Sequence, residues 1–246
     1  MALRPQTRGD GSAPPDRVPL PPRYQAVWDA PFRDAIERTL RPGMAILDVG
    51  SGRNPTILPD ERPGGTTYVG LDLSREELEA AGPRAYDEHA VADVGALQDE
   101  LIGRFDLIVS WQVLEHVEDL GAAFVCMRAY LKPGGVLVAM FSGGRSAFAL
   151  VNRAIPFHIG APIVKKVMGR SDRNPVFPAY YDRCTAGRLR TMLREWTAVD
   201  VAPFYAGARY FGFSKVASRA YLAYEDAIER RRAEDLATHY LLTATR

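Results

Sequence analysis

From Pro42 onward, short β-rich runs alternate with helical segments, and this constrains the fold more than any other feature of the chain. Residues 44–49, 66–71, 85–91, 105–109 and 136–141 read as five strands, rich in branched and aromatic side chains. Residues 74–81, 94–102 and 118–131 lie between them with apolar positions at helical spacing. Alternation at this density implies a parallel sheet covered by helices on both faces, an α/β fold. Residues 198–202 and 239–245 supply a sixth and a seventh strand, and residues 185–196 a helix capped by Thr185. Such sheets bind ligands at the carboxyl ends of their strands, where strand order reverses. Chemistry is therefore expected just after Val49, Leu71, Val91, Val109 and Phe141.

The rest of the chain narrows the function class. With 47% hydrophobic and 25% charged residues, the 246-residue chain has ample material for one large core. Thirty-one Lys and Arg against thirty Asp and Glu leave a net charge of +1, which argues against binding nucleic acid through a broad basic face. Two distant cysteines, Cys126 and Cys184, give no metal-ligand spacing and fit a reducing compartment, so a cytoplasmic location and no metal site are expected. Six prolines fall within residues 1–22, which are expected to form a loosely draped or disordered tail ahead of one domain over 23–246. Order is expected from Tyr24, with helical spacing at Val27, Phe32, Ile36 and Leu40. No apolar run approaches the about 18 residues that a membrane-spanning helix needs.

The strand ends carry the informative residues. Gly50 and Gly52 follow the first strand and let a ligand approach the main chain. Asn54 and Pro55 suggest a cap and first residue of a helix there. Pro55 stands where the third glycine of a dinucleotide fingerprint belongs, which weakens a nicotinamide-dehydrogenase reading. Asp72 lies twenty residues after Gly52, the separation at which an acid accepts hydrogen bonds from a ribose diol. Asp93 suits either an adenine amine or the cap of the next helix.

Taken in order, Leu47-Asp48-Val49-Gly50-Ser51-Gly52, Val69-Gly70-Leu71-Asp72, Ala92-Asp93, Phe105-Asp106-Leu107-Ile108-Val109-Ser110, Val113-Leu114-Glu115-His116-Val117 and Leu131-Lys132-Pro133-Gly134-Gly135-Val136 resemble the class I S-adenosylmethionine-dependent methyltransferases. The likeness is to their small-molecule branch of quinone, sugar and natural-product enzymes. It implies a Rossmann-like, doubly wound, seven-stranded sheet, mostly parallel with an antiparallel last strand, carrying a helical N-terminal cap and a lid insertion. It also implies S-adenosylmethionine as cofactor and S-adenosylhomocysteine as product. Cofactor contacts are implied at Asp48, Gly50, Ser51, Gly52, Asp72, Leu73, Asp93, Val94, Ser110 and Trp111. Methyl transfer to a small-molecule hydroxyl on a sugar, lipid-linked or natural-product acceptor is the reaction expected. C- or N-methylation of a quinone-like metabolite is the alternative, ahead of an oxidoreductase or a non-catalytic module.

A hydroxyl acceptor benefits from a general base, and His116, directly after the fourth strand, is the residue expected in that role. His158, Tyr180 and Tyr181 are further acceptor-site residues, whereas His89 and His239 fall within strands and read as structural. Residues 142–182 exceed an ordinary connection and are expected to form a lid. Its apolar runs with Lys165, Lys166 and Arg170 fit either a membrane or lipid contact or a helical cap with one buried face. A second insertion spans about 207–235, aromatic first and charged later.

Overall fold

The computed structural model describes residues 18–24, 29–155, 177–212 and 214–246. Its seven strands are β1 (Ala45–Val49), β2 (Thr67–Asp72), β3 (Glu88–Val91), β4 (Phe105–Trp111), β5 (Leu131–Ser142), β6 (Ala198–Phe204) and β7 (His239–Thr245). They form one sheet in the order β3-β2-β1-β4-β5-β7-β6. β1 to β5 pair in parallel, and β7 runs antiparallel to both neighbours. Strand order reverses between β1 and β4, so the carboxyl ends of these two strands flank the crevice where ligands bind.

Among the described residues six α-helices accompany the sheet: α1 (Ala30–Thr39), α2 (Arg75–Glu79), α3 (Leu120–Tyr130), α4 (Ala147–Ala154), α5 (Ala186–Met192) and α6 (Lys215–Arg230). Successive strand residues point to opposite faces, and here both faces are buried. Ile46, Leu107, Val109 and Val138 pack with Phe32 and Ile36 of α1 and Leu78 of α2. Leu47, Ile108, Leu137 and Ala139 pack with Phe124 and Met127 of α3 and Leu189 of α5. That two-sided demand is why the central strands read as unbroken apolar runs.

Two expected helices are absent. No helix starts at Asn54 or Pro55; the path from β1 to β2 is irregular apart from a short 3-10 turn at Pro59–Glu61. Pro55, Pro59 and Pro63 recur every fourth residue, so each would remove an amide and crowd the carbonyl a helical turn earlier. Side chains stitch this crossover instead. Arg62 donates to the Ile57 carbonyl (2.8 Å) and lies over the Tyr68 ring, and buried Arg33 of α1 pairs with buried Glu61 at 3.3 Å. Residues 94–102 likewise form only a 3-10 turn at Asp99–Leu101. There the Asp93 carboxylate accepts the Gly95 N–H (2.7 Å), and the Tyr130 hydroxyl accepts the Gln98 N–H (2.9 Å). Both bonds satisfy the backbone outside a helix.

Residues 18–24 pack against the second insertion. Within the expected tail, Val18 is buried and Leu20 packs beside Tyr24, Ala208 and Tyr221. The Tyr24 hydroxyl donates to the carboxylate of Glu225 on α6, which also accepts the Gly207 N–H at 2.5 Å. Glu225 is fully buried, so these donors offset the cost of taking its charge from water. The charged end of α6 is solvated, as the sequence suggests. No described helix is long and apolar enough to cross a membrane.

Candidate functional site

Both insertions leave from the edge defined by the carboxyl ends of β1, β4 and β5. At the end of β1 the chain turns through Gly50 (φ +71°) and Gly52 (φ +52°), a left-handed region that side chains rarely adopt. A Cβ at Gly50 would overlap Val113, and one at Gly52 would stand 3.4 Å from Asp72 Oδ2 and 3.2 Å from Glu77 Cβ. The loop is therefore an open backbone cradle facing the acid at the end of β2. Arg53 braces it by a paired contact to the Glu77 carboxylate (2.6 and 2.5 Å).

The expected cofactor residues fall into two groups. Asp72 lies at the cradle, with Oδ1 accepting the Ser74 N–H at 3.0 Å. Partial burial pushes its carboxyl above the ordinary carboxylate range, against the pull of that N–H. Leu73 beside it is 73% exposed, a large apolar side chain presented at the site mouth. Asp93 is exposed and Val94 buried at the end of β3, the next strand along the same edge.

The other group lies beneath the floor. Asp48 is fully buried: Oδ2 accepts from the Thr56 N–H and the Tyr68 hydroxyl (both 2.6 Å), and Oδ1 from the Thr56 hydroxyl (2.7 Å). Burial raises its carboxyl from the usual range, and those bonds oppose the shift. The Ser51 hydroxyl is spent on Tyr86, which also donates to the Gly52 carbonyl at 2.7 Å. Ser110 donates to the Val49 carbonyl (3.2 Å), and Trp111 packs against Phe32 with ring centres 4.8 Å apart. All four side chains are buried.

The acceptor side is built around the turn after β4. Gln112 has φ +55°, a strained value for a residue with a side chain. The Ser142 hydroxyl at the end of β5 lies 2.9 Å from Glu115 Oε1 and 3.3 Å from Gln112 Oε1. Glu115 is buried, and its Oε2 has no hydrogen-bond partner among the described residues. Its main-chain carbonyl accepts the N–H groups of Tyr180 (3.0 Å) and Tyr181 (2.9 Å). His116 is half-buried, with Nδ1 2.7 Å from the Pro178 carbonyl and its ring edge-on to Phe177.

The structure thus brings His116, Tyr180 and Tyr181 together. Tyr181 is buried, its hydroxyl 3.5 Å from the Asn152 amide, whereas Tyr180 is exposed. His158 lies outside the described residues. Phe148 of α4 stacks on Tyr210 of the second insertion at 4.1 Å, one flat wall above this edge. Gln112, Glu115, Ser142 and Pro178 were not singled out by the sequence. Glu115 sits inside the Leu-Glu-His motif, but its partners Ser142, Tyr180 and Tyr181 lie 27, 65 and 66 positions away.

His89 and His239 lie in strands, as expected. His239 pairs in the sheet with Ser142 and Phe204, and complete burial lowers its pKa to about 4. Between about pH 6.5 and about 4 the unfolded chain binds this proton and the native one does not, so stability rises with pH across that window. Chemical denaturation from pH 7 to 4 is expected to show a loss of about 3 kcal/mol from this group. His239→Gln should flatten that part of the profile, and an unaltered slope would locate the effect elsewhere.

Comparison with known proteins gives one consistent picture. The profile of a methyltransferase domain family matches residues 24–198. A ubiquinone biosynthesis O-methyltransferase of Bradyrhizobium diazoefficiens is 33% identical over 195 residues, covering 75% of this chain and 74% of that one. One from Rhodopseudomonas palustris is 32% identical over 122 residues, 48% of each chain. The chain thus spans about half the length of the first such curated relatives that it matches. Among solved structures, an SAM-dependent methyltransferase from Archaeoglobus fulgidus superimposes with a TM-score of 0.55 at 14% identity, covering 91% of this chain and 96% of that one, which shows a shared fold.

Proposed function

Since the chain belongs to the class I S-adenosylmethionine-dependent methyltransferase family, we propose that it transfers a methyl group from S-adenosylmethionine to a hydroxyl of a small molecule. The observation that carries this reading is the glycine cradle set against Asp72 at the strand-order reversal. The residues fit the cofactor. A cradle that a Cβ at Gly52 would crowd suits close main-chain approach, an acid at the end of β2 suits a diol, and exposed Leu73 suits a flat base. In this reading Gly50–Gly52 receive the methionine part, Asp72 the ribose, and Leu73, Asp93 and Val94 the adenine. When bound, the cofactor supplies an already activated methyl group on a sulfonium.

The protein's remaining work is to hold an acceptor in line, exclude water and take one proton. His116 is the proposed base, because it follows β4 and a neutral imidazole offers a lone pair to the acceptor's proton. The stacked Phe148 and Tyr210 favour a flat acceptor, and the curated relatives, named for O-methylation in ubiquinone biosynthesis, favour a phenolic hydroxyl. Incubation with S-adenosylmethionine and panels of catechols, hydroxybenzoates and sugars, read by mass, tests this. Gain of one methyl group on a phenolic oxygen supports it, and transfer only to carbon or nitrogen contradicts the O-methyl assignment.

The cofactor half has its own test. Asp72→Ala is expected to weaken S-adenosylhomocysteine binding by about 1.5–3 kcal/mol, because charge-assisted hydrogen bonds to the ribose diol are lost. Calorimetric titration of the variant measures this directly. Unchanged affinity would remove Asp72 from the cofactor site.

A further inference from the structure

His116 is oriented by a short strap of chain that is far away in sequence. Residues 177–183 run antiparallel to nothing in the sheet; they are instead pinned to the turn after β4 and the start of α3. Glu115 accepts the Tyr180 and Tyr181 amides through its main-chain carbonyl. The Asp182 carboxylate accepts the Leu120 N–H at 3.0 Å, and Arg183 bridges Asp182 (2.6 Å) and Asp119 (2.5 Å). Gly144, after β5, donates its N–H to the Cys184 carbonyl at 2.7 Å. Tyr181 (φ +52°) and Arg183 (φ +50°) are both held in the left-handed region. With Gln112, three of the four such non-glycine residues described therefore gather around Glu115 and His116. Strain of this kind persists only where surrounding contacts over-determine it, and it concentrates at functional sites.

The consequence is chemical. A main-chain carbonyl can only accept, so the 2.7 Å contact between His116 Nδ1 and the Pro178 oxygen requires the proton on Nδ1. Neutral imidazole carries one N–H, which leaves the lone pair on Nε2. We propose that the 177–183 strap is a positioning element that fixes the Nδ1–H tautomer of His116 and so selects Nε2 as the atom that takes the acceptor's proton. Asp182 and Arg183 are the positioning residues, acting on His116 through the Pro178 carbonyl. This rests on His116 being the base, but the tautomer itself can be read without any turnover. The acceptor O–H bond breaks as its oxygen gains the methyl, the pair of the broken S–CH3 bond stays on sulfur to leave S-adenosylhomocysteine, and the proton passes to Nε2, giving an imidazolium that later releases it to water.

The test is nitrogen NMR of protein labelled with 15N-histidine, in alkaline buffer where the rings are neutral, with His116→Asn assigning the His116 signals among the four histidines. The wild-type protein is expected to show protonated Nδ1 and unprotonated Nε2 for His116. Arg183→Gly suits the left-handed backbone yet loses both ion pairs, and Asp182→Ala frees the Leu120 amide. Each is expected to shift the signals toward the Nε2–H form that free histidine favours in water, with kcat lower by about 10- to 100-fold and S-adenosylhomocysteine affinity unchanged. A wild-type ring protonated at Nε2, or variants in which the tautomer does not move, would overturn the proposal. A moved tautomer with unchanged kcat would uphold the strap as the element that orients His116 and overturn the base assignment alone. Loss of S-adenosylhomocysteine binding by the wild type would instead count against the family's cofactor chemistry.

Discussion

His116→Ala is expected to lower kcat by about 10²–10⁴ while leaving S-adenosylhomocysteine affinity nearly unchanged. The ring lies at the turn after β4 and contacts Pro178 and Phe177 rather than Asp72 or Gly52, so its loss removes a proton acceptor without removing the cofactor contacts proposed at those two residues. Steady-state kinetics at saturating S-adenosylmethionine reads the effect, and the acceptor KM should change far less than kcat. A variant that turns over at a near-normal rate would reduce His116 to a packing residue against Phe177 and Pro178. Buried Tyr181, 3.5 Å from Asn152, would then be the next group to test.

The second large effect is on stability. Asp48→Ala should lower the free energy of unfolding by about 3–5 kcal/mol, because three donors, the Thr56 amide and hydroxyl and the Tyr68 hydroxyl, lose one buried carboxylate. These bonds anchor an irregular crossover that has no helix to support it, so the Gly50–Gly52 loop should loosen as well. Urea denaturation measures the loss. Asp48→Asn should recover only part of it, since with its oxygen in the Oδ2 position its NH2 group still faces the Thr56 hydroxyl that donates to Oδ1. A loss below about 1 kcal/mol would mean that the carboxylate is not the anchor its bonds imply.

Much of the architecture was legible because the demands of a two-sided sheet are local. Ile46 and Leu47 must face opposite cores, so the run is apolar throughout, and the seventh strand was read at its observed limits. The crossover after β1 was misread although its signal was present. Asn54-Pro55 looks like a helix start until Pro59 and Pro63 are counted with it. Residues 94–102 have helical apolar spacing, yet Tyr130 of α3 takes the Gln98 amide, a contact across 32 positions that no local pattern reveals.

The site divides in the same way. Gly50, Gly52 and Asp72 were readable because strand ends converge by topology. Ser51, Ser110 and Trp111 sit in the same motifs, and their buried side chains contact Tyr86, Val49 and Phe32, partners that no motif spells out. Glu115 and the strap were illegible in kind. Their bonds join the turn after β4 to residues 177–183, and the Tyr24–Glu225 contact closes the cap across 201 positions. Hydrophobic period and turn chemistry carry no information at such separations.

The central claim is that this chain binds and uses S-adenosylmethionine at the β1–β4 crevice, and calorimetric titration of the wild-type protein with S-adenosylhomocysteine and with NADH tests it most directly. The expected result is saturable binding of one S-adenosylhomocysteine per chain, weakened in Asp72→Ala, with no heat from NADH. Saturable NADH binding with no response to S-adenosylhomocysteine would contradict it.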